Sequence, residues 1–430
     1  MKRYRRFGIY VAVFAGLLLA LYLMMVLSAV IPNAAIQKNM RKSAKYFLQE
    51  DLYAFSDDGL YRNITDNYAD QIWTNIGWNM GGGDPFRSVL DTKYYDGQEH
   101  ALSAGLHLTV TKGYEPNVDY TRYWHGTAAL IRILHLVTDI QGVRNIGMLC
   151  LLLLIFRTVL ALYRAGHWEL GACVVVSLLA VQLGNLRLSV EYLPCFLIGL
   201  GLCPTFLRLE QKGDFCLNVL SVMAGTLTAF FDFLTTETVT LLFPLILVVA
   251  VRSRERRLGS PRRLLKTLAG CGLCWMLAYA GAFAAKWILV TLATGENHLL
   301  DAWGAAGTRM SGVIPEAQQK LPGLLMAIGA NLTVFFEGTS RTEFRRVFGY
   351  LIALAIAAMV VMRLGRTRKK AYPGTRFVLI LGGIVFLRYG LLVNHSYLHA
   401  FFTYRAMAST ILAVLSAMVI NLCPMKKRGS

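Results

Sequence analysis

Asp66 and Asp70 stand four positions apart inside the richest polar run of the chain, Ser56 to Gln71. If 65–80 is helical, their Cβ atoms lie about 5–6 Å apart on one face. At that spacing two carboxylates can repel, share a proton or a divalent cation, or divide into a general base and the group that orients it. An N-cap at Thr65 or Asp66 with a solvated acidic turn would use the same residue types. A second cluster, Tyr120-Thr121-Arg122-Tyr123-Trp124-His125-Gly126, sets Arg122 and His125 among aromatics. Tyr and Trp at a membrane interface form the usual aromatic belt, yet the guanidinium and imidazole beside Tyr123 are also donors suited to a lipid phosphate. The third cluster, Asn394 to His399, places His395 and His399 at i,i+4 between Arg388 and Arg405. Such a pair could ligate a metal on a helix. No nearby carboxylate completes the set, so hydrogen bonding toward a phosphate is the stronger reading and no metal site is assigned. Glu191, Asp232 and Glu237 are supporting acids at the ends of apolar segments, and Arg157, Lys286 and Arg388 lie in or near them. A charge at the centre of a membrane helix costs roughly 2.5–3.5 kcal/mol, so such residues usually face a polar cavity or a partner. Arg157 and Lys286 could equally snorkel to the headgroups on their long stems.

The elements that must position these residues are membrane spans. Of the 430 residues 55% are hydrophobic and 16% charged, with a mean hydropathy of +0.47. Soluble domains run at about 45–50% apolar and about 25% charged, so most of this chain needs a non-aqueous solvent. Disordered and disulfide-stapled classes are excluded with the soluble ones. Ile9 to Ile31 is uncharged and long enough to cross about 30 Å of hydrocarbon, and too long for the apolar core of a cleaved leader. Nine more apolar windows follow: Ile146–Tyr163, Leu170–Asn185, Val190–Leu207, Phe215–Phe231, Val239–Val251, Leu268–Thr294, Val347–Met362, Phe377–Val393 and Ala400–Cys423. The expected class is an all-α polytopic membrane protein of about ten transmembrane helices, a single membrane domain over 1–430. Leu321 to Phe336 reads as a re-entrant or interfacial helix, because a further span there would put the basic run Arg363 to Arg376 on the opposite side.

The formal charge of +19 follows from this topology. With both termini cytoplasmic, the cytoplasmic segments hold 23 Lys and Arg against 4 acids, and the rest of the chain is balanced. That is the positive-inside bias rather than a nucleic-acid footprint. The external side then consists of a large first loop, 32–145, a second loop, 295–346, and short turns. Ala101–Thr111 and Gly126–Thr138 in the first loop carry apolar residues at helical spacing and read as amphipathic helices in the membrane interface. All eight Cys fall in or beside spans, so no disulfide framework is implied. The CxxC of Cys271 and Cys274 inside an apolar helix reads as small-residue packing.

With these residues placed, the layout resembles the GT-C superfamily of integral membrane glycosyltransferases. It most resembles a bacterial, mainly Firmicutes, branch of multi-pass proteins with an external DNY-x-D run, a YWHG segment, an FDFLT turn and an NHSY-x-H-x-FFTYR segment. Here these are Asp66 to Asp70, Tyr123 to Gly126, Phe231 to Thr235, and Asn394 to Arg405. The resemblance implies a large first external loop with juxtamembrane helices, an acidic catalytic residue in it, and a cavity at the outer membrane face for a polyprenyl-phosphate-linked sugar. The sugar would pass, with inversion, to an acceptor glycan or lipid outside the cytoplasm. Asp66 is then the general base with Asp70 as partner, and Arg122, Tyr123, His125, Arg388, His395, His399 and Arg405 face the donor phosphate. A lipid phosphate stabilised by cations is already a good leaving group, so positioning, charge neutralisation and one base suffice. No cofactor is required, although a divalent cation could serve beside the carboxylates. The implied partners are membrane lipid, the lipid-linked sugar and the acceptor, with no nucleic acid. The alternatives are a polysaccharide polymerase or ligase and a non-enzymatic lipid-linked-sugar flippase or transporter. Polymerases rely mainly on external Arg and His, and transporters often carry internal repeats, which are absent from this sequence.

Overall fold

A computed structural model describes residues 2–55, 59–97, 100–310, 323–337 and 373–422. The chain is an all-α polytopic membrane protein. Helices α1 (Lys2–Val30) and α2 (Asn33–Gln49) are followed by a loop region holding α3 (Asn67–Asn79), α4 (Pro85–Ser88), α5 (Gly105–Lys112) and α6 (Gly126–Leu134). The bundle continues with α7 (Ile140–Arg164), α8 (Trp168–Ala180), α9 (Pro194–Leu209), α10 (Asp214–Phe231), α11 (Val239–Arg254) and α12 (Pro261–Thr294). After α13 (His298–Met310) and α14 (Gly323–Phe336) come α15 (Pro373–Leu391), α16 (Val393–Leu398), α17 (Ala400–Thr403) and α18 (Ala408–Leu422).

Seven segments among the described residues are long and apolar enough to cross a membrane: Tyr4–Val30, Ile140–Arg164, Val190–Lys212, Asp214–Phe231, Pro261–Thr294, Gly374–Leu391 and Ala400–Leu422. These match seven of the ten expected windows. The window Leu170–Asn185 is realised differently. Its helix α8 has 13 residues, about 20 Å at 1.5 Å per residue, and stops before Gln182, whose φ of 61° starts a 3₁₀ run, Leu183–Leu188. Gln182, Asn185 and Arg187 leave the apolar layer there. Val239–Val251 becomes α11, 16 residues that are buried on every side. It packs against α9, α15 and α18 and forms the axis of the larger apolar core. Val347–Met362 lies outside the described residues. Helix α14 holds 14 described residues, Gly323–Phe336, fewer than the roughly 20 needed to cross the hydrocarbon.

The two loop helices form near their expected positions. Helix α6 packs against α1, α3 and α10, and its Arg132 is fully buried. That guanidinium explains the placement. It donates to Ser28 O at 2.9 Å, Gly77 O at 2.8 Å and Asn33 Oδ1 at 2.8 Å, and also to Ile31 O. Carbonyls at the C-terminal ends of α1 and α3, which have no intrahelical partner, thus converge on one cation. Burial lowers the Arg132 pKa to about 10, so it stays charged. Two short antiparallel ladders complete the region: Tyr53–Ala54 with Thr65–Asp66, and Lys93–Tyr94 with Val118–Asp119.

Candidate functional site

The first-loop acids are built into the protein rather than displayed on it. Asp66 ends the strand Thr65–Asp66 and is the N-cap of α3, its Oδ1 accepting the Ala69 N–H at 2.9 Å. Capping is one reading the sequence allowed, but the acidic turn is not solvated, since Asp66 is 3% exposed and Asp70 fully buried. The helix therefore starts one residue later than the shared-face reading requires.

Asp70 is consumed by the fold. Its Oδ2 accepts Arg144 Nε at 2.7 Å, while Oδ1 accepts Ser189 Oγ at 2.8 Å and the Val190 N–H at 2.9 Å. Arg144 also donates to Asn67 Oδ1 at 2.8 Å and Tyr46 Oη at 3.0 Å, joining α2, α3 and α7. The expected pairing of Asp70 with Asp66 is not what the hydrogen bonds show: Asp70 is engaged by one cation and two neutral donors, Arg144, Ser189 and Val190.

Docking of the 189–190 backbone onto Asp70 delivers the next residue, Glu191, to Asp66. Both carboxyls are buried, 3% and 5% exposed, and close enough for each to feel the other's charge. Burial, opposed by the Ala69 N–H and reinforced by the negative charge of Asp70, pushes the Asp66 carboxyl up to about 6. Glu191 Oε2 is buried without a hydrogen-bond partner among the described residues. Above the pair, the Tyr192 hydroxyl donates to Ile64 O at 3.1 Å, and the Arg405 guanidinium lies 4.1 Å from the Tyr192 ring centroid.

The FDFLT turn draws the other two clusters together. Asp232 caps its own turn, accepting the Thr235 N–H at 3.0 Å and the Thr235 hydroxyl. Burial and the neighbouring Glu237 push the Asp232 carboxyl up to about 6 against those hydrogen bonds. Phe233 sits in an aromatic hub, its ring centroid 4.5 Å from Trp73, 4.7 Å from Tyr123 and 5.2 Å from His125. Leu234 has φ 66°, a backbone region costly for a side chain. It is held there because its carbonyl accepts His395 Nε2 at 2.9 Å and the Arg388 guanidinium. Arg388 Nε pairs with Glu237 Oε1 at 2.8 Å, and Nη1 donates to Ser396 Oγ at 3.0 Å.

Four of the expected phosphate ligands, His125, Arg388, His395 and Arg405, are thus internal, and His399 is half-buried. Arg388 is neutralised by Glu237, and Arg405 is 1% exposed and donates to Phe401 O and Arg62 O. His395 is buried against the turn, and His399 stacks on Phe402 at 5.2 Å. Burial first, then the neighbouring cations, lowers His399 to about 4 and His395 well below the ordinary imidazole value, so both are neutral at neutral pH. His125 is neutral for the same reason, and its Nε2 donates to Tyr120 O at 2.7 Å. A buried neutral imidazole cannot offset phosphate charge, so these His residues organise the site rather than carry cations into it.

Arg122 and Tyr123 are placed differently. They line a cavity of about 160 Å³ with Tyr279, Phe283, Trp287 and Arg309. The Arg122 guanidinium is 4.4 Å from the Tyr120 centroid, and its Nε is buried without a hydrogen-bond partner among the described residues. Arg309 lies 5.6 Å from the Tyr123 centroid. Arg309 was not singled out in the sequence, where its segment reads only as part of the second external loop. The helical spacing of His298–Met310 is the signal that could have found it, and a bond of 2.9 Å between Thr121 Oγ1 and His298 Nδ1 fixes α13 to the YWHG segment.

Two further cavities flank the acids. An apolar one of about 340 Å³ lies between α6, α7 and α9, lined by residues including Leu130, Ile146, Cys150, Leu197 and Phe231. A polar one, also about 340 Å³, is lined by Tyr46, Thr65, Gln141, Arg144, Asn145, Arg187 and Leu188. Among the described residues no group of three or more His, Cys, Asp or Glu is arranged to hold a metal ion. No protein-family model matches the chain, and neither a curated protein nor a solved structure matches it.

Proposed function

We propose that the protein is a GT-C-type glycosyltransferase that moves a sugar, with inversion, from a polyprenyl-phosphate-linked donor to an acceptor glycan or lipid. The observation that carries this reading is the buried Asp66–Glu191 carboxyl pair, with Asp66 titrating near 6. A general base works best when its pKa lies near the operating pH, and burial among few donors produces that value here. The Arg122–Arg309 cavity supplies two guanidiniums against an apolar, aromatic wall, a combination suited to a phosphate on a hydrocarbon chain. In this reading Asp66 removes the acceptor hydroxyl proton, Glu191 takes part in holding it, and Arg122 and Arg309 stabilise the departing lipid phosphate. Asp232, Glu237 and Arg388 set the turn between the two halves.

The working surface is assigned to the outer face of a bacterial plasma membrane, with both termini cytoplasmic and ten spans in the whole chain. The test is to reconstitute the protein in liposomes with radiolabelled polyprenyl-phosphate sugars and a mixed acceptor fraction. Transfer from a lipid-linked donor, with inverted anomeric configuration in the product by NMR, is expected. Transport of the lipid-linked sugar without any glycosidic product would refute the transferase reading in favour of a flippase.

A further inference from the structure

The polar cavity beside the first-loop acids is unexplained by the donor site and differs from it in composition: its lining holds a single aromatic ring, Tyr46, and otherwise amides, a hydroxyl, Leu188 and two guanidiniums. Gln141 and Asn145 are four residues apart on the first turns of α7, both exposed at the cavity. The 3₁₀ run after α8 carries Arg187 to the same mouth. Arg187 makes no ion pair or side-chain hydrogen bond among the described residues, in contrast to Arg144 deeper in the wall, whose charge is answered by Asp70. Tyr46 Oη and the Thr65 side chain complete the lining, and Thr65 is joined directly to Asp66 along the strand. A volume of about 340 Å³ falls in the range of about 300–1,000 Å³ typical of small-molecule sites.

Amides and hydroxyls read the hydroxyls of a sugar because each can both donate and accept. A free guanidinium adds a preference for an anionic group, since charge-assisted hydrogen bonds are roughly twice as strong as neutral ones. We propose that this cavity, formed by Tyr46, Thr65, Gln141, Asn145 and Arg187, is the acceptor subsite, and that it takes the end of an acidic saccharide bearing a carboxylate or phosphate. The inference rests on the transferase reading for the word acceptor, but the binding it asserts does not require turnover. The acidic group meets Arg187 at the mouth, and the ring hydroxyls meet Gln141 and Asn145.

The experiment is saturation-transfer NMR and calorimetric titration on the full chain in lipid nanodiscs. Three probes are used: a glucuronate-containing tetrasaccharide, glucose 6-phosphate, and neutral maltotetraose. One or both acidic probes should bind at least tenfold more tightly than the neutral one, and which of them does so separates a carboxylate source from a phosphate source. Arg187→Gln, an exposed substitution, should erase that tenfold preference, and Asn145→Leu should weaken both acidic and neutral sugars. Equal binding of all three probes, no binding of any, or full acidic preference in Arg187→Gln overturns the proposal. If the preference holds while no transfer is ever observed, the transferase reading falls and the saccharide site stands. If transfer occurs but binding ignores Arg187, the subsite falls alone.

Discussion

Asp66 caps α3 through Oδ1 while lying buried beside the Glu191 carboxyl, so the side chain that starts a helix is also the one proposed as the base. Its pKa is raised from an ordinary carboxyl value to about 6, so the protonated form is favoured by folding. The stability this contributes is complete below about pH 3.8 and lost as pH rises through about 6. Asn resembles the neutral acid and keeps an acceptor for the Ala69 N–H, so Asp66→Asn should match or exceed the unaltered protein in melting temperature at pH 7.5, measured by thermal shift in detergent. Turnover should follow the opposite sign, rising from pH 5 to 7 as the base ionises, and Glu191→Gln should move that inflection. Asp70→Ala is expected to behave differently from both. It strands the buried Arg144 charge, and breaking a buried pair costs about 3–5 kcal/mol, so this variant should melt well below the others. The polar run made Asp66 and Asp70 visible in the sequence. Their separate fates were not legible there, because they are decided by Arg144, Ser189 and Val190, residues far away in the chain that only the packed fold brings near.

Helices meet closely where glycine lets them. A Cβ on Gly225 of α10 would sit 2.3 Å from the Trp275 carbonyl of α12, and one on Gly126 would sit 2.3 Å from the Phe230 ring. The first contact is with backbone and cannot be relieved by a rotamer change. Gly225→Ala should therefore cost about 1–3 kcal/mol, in the range of core overpacking, seen as a lower melting temperature, whereas Gly272→Ala, with nothing within 4 Å, should be silent. Long apolar windows such as Ile9–Ile31 and Leu268–Thr294 were readable as spans from hydropathy alone, since lipid demands an internally bonded helix. The short ones were not. Nothing in the composition of Val239–Val251 separates a lipid-facing span from α11, which is enclosed by other helices, and the stop after α8 depends on a left-handed Gln182. What the apolar face of Gly126–Thr138 packs against was illegible for a related reason. Periodicity reveals an apolar face but not that α1, α3 and α10 cover it, nor that Arg132 gathers the helix ends of two of them.

At the scale of the whole molecule, the basic segments and the polar cavities occupy different parts of the chain. Arg252 and Arg257 at the end of α11 are tied to Glu210 at 2.8 and 2.7 Å, while the acids, the aromatic hub and the three cavities gather around the first loop and the 231–237 turn. With cytoplasmic termini, a cysteine placed at exposed Arg187 should react with a membrane-impermeant maleimide in intact cells, and one at Arg256 only after permeabilisation. The reverse pattern would invert the assigned orientation and put the site in the cytoplasm. The proposed chemistry depends most on one atom group, the Asp66 carboxyl. The most direct measurement is sugar transfer by Asp66→Asn and by the unaltered protein, side by side in proteoliposomes at pH 7.5 with a radiolabelled polyprenyl-phosphate donor. Loss of at least 100-fold in turnover, in the range a general base contributes, with an unchanged melting temperature is the expected result. Undiminished transfer by the folded variant would contradict the assignment of Asp66 as the base.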